Sequence, residues 1–112
     1  MEFNTELFDT LGHYETYTND IIVNGTNIGR ADVIVDTQDD TMNYIEWPGI
    51  NEEFRNLGYG TMALNLLAIK YGRIFFAPAD ENSKRLYDRI ANEITVDLPP
   101  VDQGYGVYYI QK

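Results

Sequence analysis

The segment from Thr61 to Tyr71 constrains the fold of this 112-residue sequence more than any other. Within it only Thr61, Asn65 and Lys70 are clearly polar. A helix that is apolar on nearly all sides has to be covered by other elements, so we expect it in the middle of a domain. Gly72 is a suitable residue to end this helix, and Lys70 suits its negative carboxyl end. The rest of the chain must therefore supply the layers that cover this helix.

Three segments before the helix have the composition of strands. His13 to Val23 is rich in Thr, Tyr and Ile. Ile28 to Asp36 alternates apolar and polar residues, as a half-buried strand does. Asn24-Gly25 between them predicts a hairpin turn, because both residues tolerate positive φ. A third strand is predicted from Asn43 to Trp47, where Pro48-Gly49 interrupts it.

The remaining segments complete the predicted order of elements. Apolar residues near the N-terminus recur at roughly helical spacing, which predicts a short N-terminal helix that ends at Gly12. These residues are Phe3, Leu7, Phe8 and Leu11. Later elements are predicted as a strand at Arg73 to Ala77, a helix from Asp80, and closing strands near Ile94 to Asp97 and Gly106 to Ile110. The fold class is therefore α+β, with a mixed, mainly antiparallel sheet flanked by helices in a single domain over residues 1–112.

Charge is distributed unevenly along the chain. Residues 1–54 hold twelve acids and one base, Arg30, whereas residues 55–112 hold six acids and seven bases. The acidic first half would repel nucleic acid and anionic membranes, and it would attract amines or basic protein segments. Solubility alone would explain the net charge of -10, but it would not explain this asymmetry.

Several classes of protein are excluded by what the sequence lacks. There is no cysteine, which excludes disulfides, thiolate nucleophiles and thiolate metal sites. No cluster of residues has the spacing of metal ligands, so we expect no metal site. The first residues, Met1 to Glu6, lack the basic and apolar regions of a signal peptide, and no apolar run approaches a membrane span. We therefore expect a cytoplasmic protein that contacts neither membrane nor nucleic acid directly.

The segment Arg55-Asn56-Leu57-Gly58-Tyr59-Gly60 lies between the interrupted strand and the apolar helix. The start of a helix leaves backbone N–H groups unpaired, and the helix dipole adds partial positive charge there. Glycines allow a phosphate to approach such a backbone closely. The pattern is neither the dinucleotide-binding fingerprint nor a P-loop. A pyrophosphate group is the ligand that this segment predicts.

The segment from Ile50 to Leu64, with Arg55-x-x-Gly58-x-Gly60 at its centre, resembles motif A of the GNAT acetyltransferase superfamily. Asp80 to Tyr87 is similar to motif B of that family, in which a small residue precedes a tyrosine by four positions. Ile28 to Val33 is similar to the second strand of the family's hairpin. The resemblance covers roughly residues 20 to 110, and it implies a GNAT-like acyl-CoA acyltransferase fold.

The resemblance also implies acetyl-CoA as cofactor. The pyrophosphate would be held by the backbone N–H groups of the loop and first helical residues, which are Asn56, Leu57, Gly58, Tyr59, Gly60 and Thr61. Arg55 would lie at the entrance of the loop, and Ile50 would pair its backbone with the pantetheine arm. The interruption at Pro48-Gly49 would correspond to the bulge that separates this strand from the next. Ser83 and Lys84 would begin the motif B helix on the side of the cofactor.

Two residues are candidates for the chemistry of acetyl transfer. The reaction needs a neutral amine nitrogen, a polarised thioester and a proton for the departing sulfur. Without cysteine, direct transfer in a ternary complex is the route open to a protein of this kind. Tyr87 falls where the family places a tyrosine that protonates the thiolate. Glu46 is the candidate general base, and an exposed carboxylate on a sheet face is the alternative interpretation.

Two functions are compatible with these patterns. The first is an N-acetyltransferase whose acceptor is a primary amine: a protein lysine, a protein N-terminus or a small cationic amine. The N-terminal region offers one helix where the family usually has two, so the acceptor side would be open, or a homodimer would complete it. The second is a non-catalytic module whose acidic surface binds a basic protein partner, for instance as a nucleic-acid mimic.

Overall fold

The computed structural model describes residues 1–39, 43–76, 85 and 108–110. These residues form a six-stranded sheet in which each strand lies beside its neighbour in sequence. The strands are Glu2–Leu11 (β1), Tyr14–Val23 (β2), Thr26–Asp36 (β3), Asn43–Ile50 (β4), Ile74–Phe76 (β5) and Tyr108–Ile110 (β6). A short 3-10 turn at Glu52–Phe54 and the helix Tyr59–Tyr71 (α1) connect β4 to β5. Only β4 and β5 pair in parallel, so the predicted α+β class with a mainly antiparallel sheet is confirmed.

Two predicted turns are confirmed by their backbone angles. Asn24 and Gly25 have φ values of 51° and 78°, and they join β2 to β3. Gly72 has a φ of 83° at the end of α1, where an L-residue with a side chain would be strained. The helix predicted from Asp80 and the strand near Ile94 to Asp97 fall on residues outside the described part of the chain.

The N-terminal segment is a strand, so the helix predicted there is wrong. Residues four apart share one face of a helix, but they also share one face of a strand, and the spacing of Phe3 and Leu7 therefore fits both. These two residues lie opposite Ile21 and Tyr17 of β2. A bulge then follows Leu7 and shifts the register of β1. Because Gly12 and His13 alone separate β1 from β2, no helix lies between the two strands.

The apolar core lies between α1 and one face of the sheet. The helix contributes Ala63, Leu64, Leu67 and Ala68, all of them buried. The sheet contributes Ile21, Ile28, Ala31, Val33, Ile45, Ile50, Ile74 and Phe76. On the far side of α1, Met62 and Ile69 are 47% and 65% exposed, so the described elements cover only the stripe that contacts the sheet. No helix within that part of the chain is long and apolar enough to cross a membrane.

A buried asparagine connects β1 and α1 to the middle of the sheet. The Nδ2 group of Asn19 in β2 donates a hydrogen bond to the carbonyl oxygen of Ala31 at 3.2 Å. Its Oδ1 atom accepts hydrogen bonds from the hydroxyls of Thr5 at 2.7 Å and Tyr71 at 3.1 Å. Partial burial raises the pKa of the Tyr71 phenol. The amide is therefore buried with both of its ends bonded, as buried polar groups generally are.

Gly29 marks a close approach of β3 to β4 that leaves no room for a side chain. A Cβ atom at this position would lie 2.0 Å from the carbonyl oxygen of Gly49. The Gly29→Ala substitution should lower the free energy of unfolding by about 1–3 kcal/mol, because the two backbones must separate. In the matched Gly60→Ala variant the new Cβ meets only Ile50 Cγ1 at 4.0 Å. Urea unfolding of both variants checks this, and equal stabilities would contradict it.

The Tyr71→Phe substitution removes the hydroxyl that donates to Asn19. We expect a loss of about 0.5–1.5 kcal/mol in the free energy of unfolding at neutral pH. The pKa of Tyr71 is raised from its ordinary value of 10.0, so the folded protein holds this proton more tightly than the unfolded chain does. Stability should therefore fall as the pH rises above about 10, and it should fall less steeply in the Phe variant. Urea unfolding across this pH range would show parallel curves if Tyr71 does not contribute.

Candidate functional site

The described residues of β4 and β5 pair in parallel, Asn43–Ile45 with Ile74–Phe76, and β4 continues to Ile50 beyond the described part of β5. On the other side of β4, the amide of Asn51 donates to the carbonyl oxygen of Ile28 at 2.7 Å. Bonded and non-bonded pairs alternate in antiparallel strands, so Ile50 directs its own N–H and C=O groups away from β3. Among the described strands, the far end of β4 thus has no partner on the β5 side.

Pro48 lies on this unpaired edge without interrupting the strand, so the interruption predicted at Pro48-Gly49 is wrong. Pro48 lies opposite Ala31, and the strand continues to Ile50. The same alternation turns the nitrogen of Pro48 away from β3, so its missing N–H removes no bond from the ladder. The bulge occurs two residues earlier. Trp47 and Ile45 pair with consecutive residues of β3, which leaves Glu46 as the extra residue.

The loop before α1 carries backbone N–H groups that have no partner among the described residues. The first hydrogen bond of the helix runs from the amide of Met62 to the carbonyl oxygen of Gly58 at 3.1 Å. No hydrogen bond within the described residues is donated by the amides from Asn56 to Thr61. The φ angle is 64° at Asn56 and 82° at Gly58, and it is not positive at Leu57 between them. Such alternation turns successive amides towards one concavity, which is a geometry that binds anions.

Arg55 connects this loop to the end of β4. Its Nε group donates a hydrogen bond to the carbonyl oxygen of Ile50 at 2.9 Å. Its Nη groups make no hydrogen bond to the described part of the chain, so they remain available to a ligand. The start of α1 lies against the same residue, since a Cβ at Gly60 would contact the Ile50 side chain. The structure therefore brings Ile50, Arg55 and the amides from Asn56 to Thr61 to the same end of β4, and their predicted roles in binding a cofactor stay predictions.

A cleft of about 560 Å³ opens beside these residues, at the end of β4. Its charged lining consists of the carboxylates of Asp20, Asp32 and Glu52 and the guanidinium groups of Arg30 and Arg55. Arg30 donates to both carboxylate oxygens of Asp32, at 2.7 and 3.0 Å, and these bonds raise the pKa of its guanidinium. The carboxylate of Asp20 makes no hydrogen bond to the described residues.

Sequence reasoning did not find the carboxylates of this cleft. Asp32 lies two residues from Arg30 in β3, but only the register of β2 against β3 places Asp20 opposite Arg30. The alternation of polar and apolar residues in β3 was the available signal for Asp32, because it puts this side chain away from the core.

Several predicted site residues are not tested by the geometry. Ser83, Lys84 and Tyr87 lie outside the described residues, so their predicted roles stay predictions. Glu46 is located by its backbone at the bulge of β4, and the role of its carboxylate also stays a prediction. The described residues contain no group of three His, Asp or Glu side chains that could hold a metal ion.

Comparisons with known proteins identify the fold. No family model matches the sequence, and no curated protein matches it. A GNAT-family protein from Bacteroides thetaiotaomicron aligns with a TM-score of 0.59 and 22% identity over 91% of this chain, which spans 62% of the length of that protein. An acetyltransferase from Bacillus subtilis in complex with CoA aligns over 99% of both chains, with a TM-score of 0.55 and 11% identity. A GNAT acetyltransferase from Elizabethkingia anophelis with acetyl-CoA bound aligns with a TM-score of 0.51 and 14% identity over 89% of this chain and 77% of its own.

These alignments show that the chain has the GNAT fold. The fold class implied by motif A and motif B is thereby confirmed.

Proposed function

We propose that this chain is an N-acetyltransferase, which moves an acetyl group from acetyl-CoA to a primary amine by direct transfer. The observation that carries the proposal is the run of amides from Asn56 to Thr61, at the start of α1, which donate no hydrogen bond within the described part of the chain. A pyrophosphate is the anion that such amides and the helix dipole favour together. The fold supports the same ligand, because solved proteins with this fold hold CoA or acetyl-CoA.

The residues around the loop fit the two other parts of such a cofactor. The Nη groups of Arg55 offer charge-assisted hydrogen bonds to a phosphate oxygen at the loop entrance. The N–H of Ile50 is directed away from β3, to a side of β4 where no described strand lies, and there it would bond the amide-bearing pantetheine arm. Ser83 and Lys84 would contact the cofactor from the motif B helix. When bound, acetyl-CoA supplies the acetyl group as a thioester.

Proton movements at the reacting atoms define the proposed roles of two side chains. The transfer joins the amine nitrogen to the acetyl carbon and breaks the bond from that carbon to sulfur. Glu46 accepts the proton that the amine loses, and Tyr87 donates a proton to the departing sulfur. The position of Glu46 at a bulge supports this role, since bulges are frequent beside active sites. The sequence has no cysteine that could carry the acetyl group as a thioester intermediate.

The cleft supports a cationic amine as acceptor. It borders Ile50, and its carboxylates from Asp20 and Glu52 would attract an ammonium group. A protein lysine, a protein N-terminus and a small polyamine all carry this group. Gly12 and His13 alone join β1 to β2, so no helix between these strands covers the acceptor side, and a second subunit in a homodimer is one way to complete it.

The uneven charge also supports a second candidate, a non-catalytic module that binds a basic protein. In this case the acidic strands would act without acetyl transfer, and the module could imitate a nucleic acid. The two candidates differ in turnover, not in surface charge.

Binding of acetyl-CoA tests the loop. In the Gly60→Leu variant the new side chain enters the space between the start of α1 and Ile50. We expect the affinity for acetyl-CoA, measured by isothermal titration calorimetry, to fall by at least about tenfold, or 1.4 kcal/mol. Gly60→Ala serves as the control, because its Cβ only reaches contact distance. Absence of binding to the unaltered protein, or unchanged binding to a folded Gly60→Leu variant, would refute the proposed cofactor site.

Turnover of acetyl-CoA separates the two candidate functions. Release of the free thiol is measured with a panel of primary amines as acceptors. The Tyr87→Phe variant should bind acetyl-CoA as the unaltered protein does, and it should lose most of its turnover because the sulfur has lost its proton donor. Binding of acetyl-CoA with no turnover on any amine would instead support the non-catalytic module.

A further inference from the structure

One face of the sheet collects the acidic side chains of β1, β2 and β3. Asn19 and Ile21 of β2 are fully buried on the side of α1, so Asp20 and the other residues that alternate with them point to the opposite face. Residues paired with these across the ladder share that face. The acids placed there by the register are Glu2, Glu6, Asp9, Asp20, Asp32 and Asp36, which we call the acidic face.

The acidic face has little positive charge of its own. Within β1, β2 and β3 its only base is Arg30, and both carboxylate oxygens of Asp32 already engage that guanidinium. Asp36 lies 3.7 Å from the imidazole of His13. Glu2, Glu6 and Asp9 make no ion pair with the described residues. Six carboxylates against one guanidinium produce a negative potential that a cationic partner would relieve.

The acidic face continues into the cleft. Among the described elements, α1 packs on the other face of the sheet, and Gly12 and His13 join β1 to β2 without a helix. Asp20 and Asp32 belong both to this face and to the wall of the cleft. Ile50 and Arg55, at the end of β4, also line the cleft. A chain lying on the acidic face therefore reaches the proposed site of acetyl transfer without crossing the core.

We propose that the acidic face docks an extended, lysine-rich protein segment and presents one of its lysines to the cleft. The docked segment would be the acceptor of the proposed acetyltransferase. This inference rests on that proposed function, although the docking itself needs no acetyl-CoA. The negative charge of the acidic face distinguishes between possible binding partners. A second copy of this chain would bring a like-charged face, and a nucleic acid would bring phosphates, so both are repelled.

Asp20 is the carboxylate that we assign to the lysine in the cleft. It lies at the junction of the acidic face with the cleft, and its carboxylate makes no hydrogen bond to the described residues. Asp32 is occupied by Arg30, so it is a weaker partner for an ammonium group. Asp20 thus binds and orients the segment, and it takes no part in the proton transfers of the reaction.

Peptide binding without acetyl-CoA tests the docking directly. The probe is a fluorescent peptide of about ten residues in which lysine alternates with serine, long enough when extended to cross the face at about 3.3 Å per residue. Fluorescence anisotropy at low salt measures its affinity for the full chain. The Glu6→Gln/Asp20→Asn double variant should weaken binding by about tenfold or more, and added salt should weaken it further.

A matched double variant controls for net charge. Glu15→Gln/Glu53→Gln removes the same two charges, but Glu15 lies on the α1 side of β2 and Glu53 lies in the turn after β4. The affinity of this control variant for the peptide should change less than about twofold if the position of the carboxylates matters more than the total charge. Equal losses in the two double variants, or no binding to the unaltered protein, would overturn the proposal. Circular dichroism confirms that both variants fold.

Calorimetry with acetyl-CoA on the same samples separates this proposal from the proposed function. If acetyl-CoA binds and the lysine-rich peptide does not, the docking proposal alone fails. If the peptide binds and acetyl-CoA does not, the enzyme proposal fails and the docking stands.

Discussion

β4 and β5 are parallel strands joined through α1, and β4 continues to Ile50 beyond the three pairs that join their described residues. On the side away from β3, the peptide groups of this continuation face no described strand. The start of α1 lies against the same stretch, as the contact between Gly60 and Ile50 shows. A strand edge and a helix start are thereby brought to one place. The proposed ligand, with amides in one part and a diphosphate in another, would use both.

The positions of turns and of the anion-binding loop could be predicted from sequence because they depend on local chemistry. Asn24-Gly25 and Gly72 adopt positive φ for reasons contained in the residues themselves. The N-terminal strand could not be distinguished from a helix, because the four-residue spacing of Phe3 and Leu7 fits both periods. β4 continues through Pro48 because Pro48 belongs to a pair that is not hydrogen-bonded to β3. Which pairs are hydrogen-bonded depends on the register of both strands, so it could not be predicted from one of them.

The cleft could not be predicted from the sequence, because it depends on how the strands pair. Its carboxylates come from strands whose relative register is set by bulges as well as by turns. The excess of acids in the first half of the chain was visible as a count, but its concentration on one face was not. Once β2 is in register, the alternation that buries Asn19 and Ile21 also sends Asp20 outward. The core and the acidic face are therefore two results of the same two-residue period.

The sheet order also has a consequence for how this chain folds. β1 to β4 form a meander in which each strand pairs with its immediate neighbour, so most of the ladder closes over short loops. Pairings that are local in sequence form readily, whereas β5 must wait until α1 has crossed over the sheet. The pairing of β5 with β4 therefore forms late. A ligand that contacts both the end of β4 and the start of α1 would stabilise the last part of the molecule to assemble, which couples occupancy of the site to the integrity of the crossover.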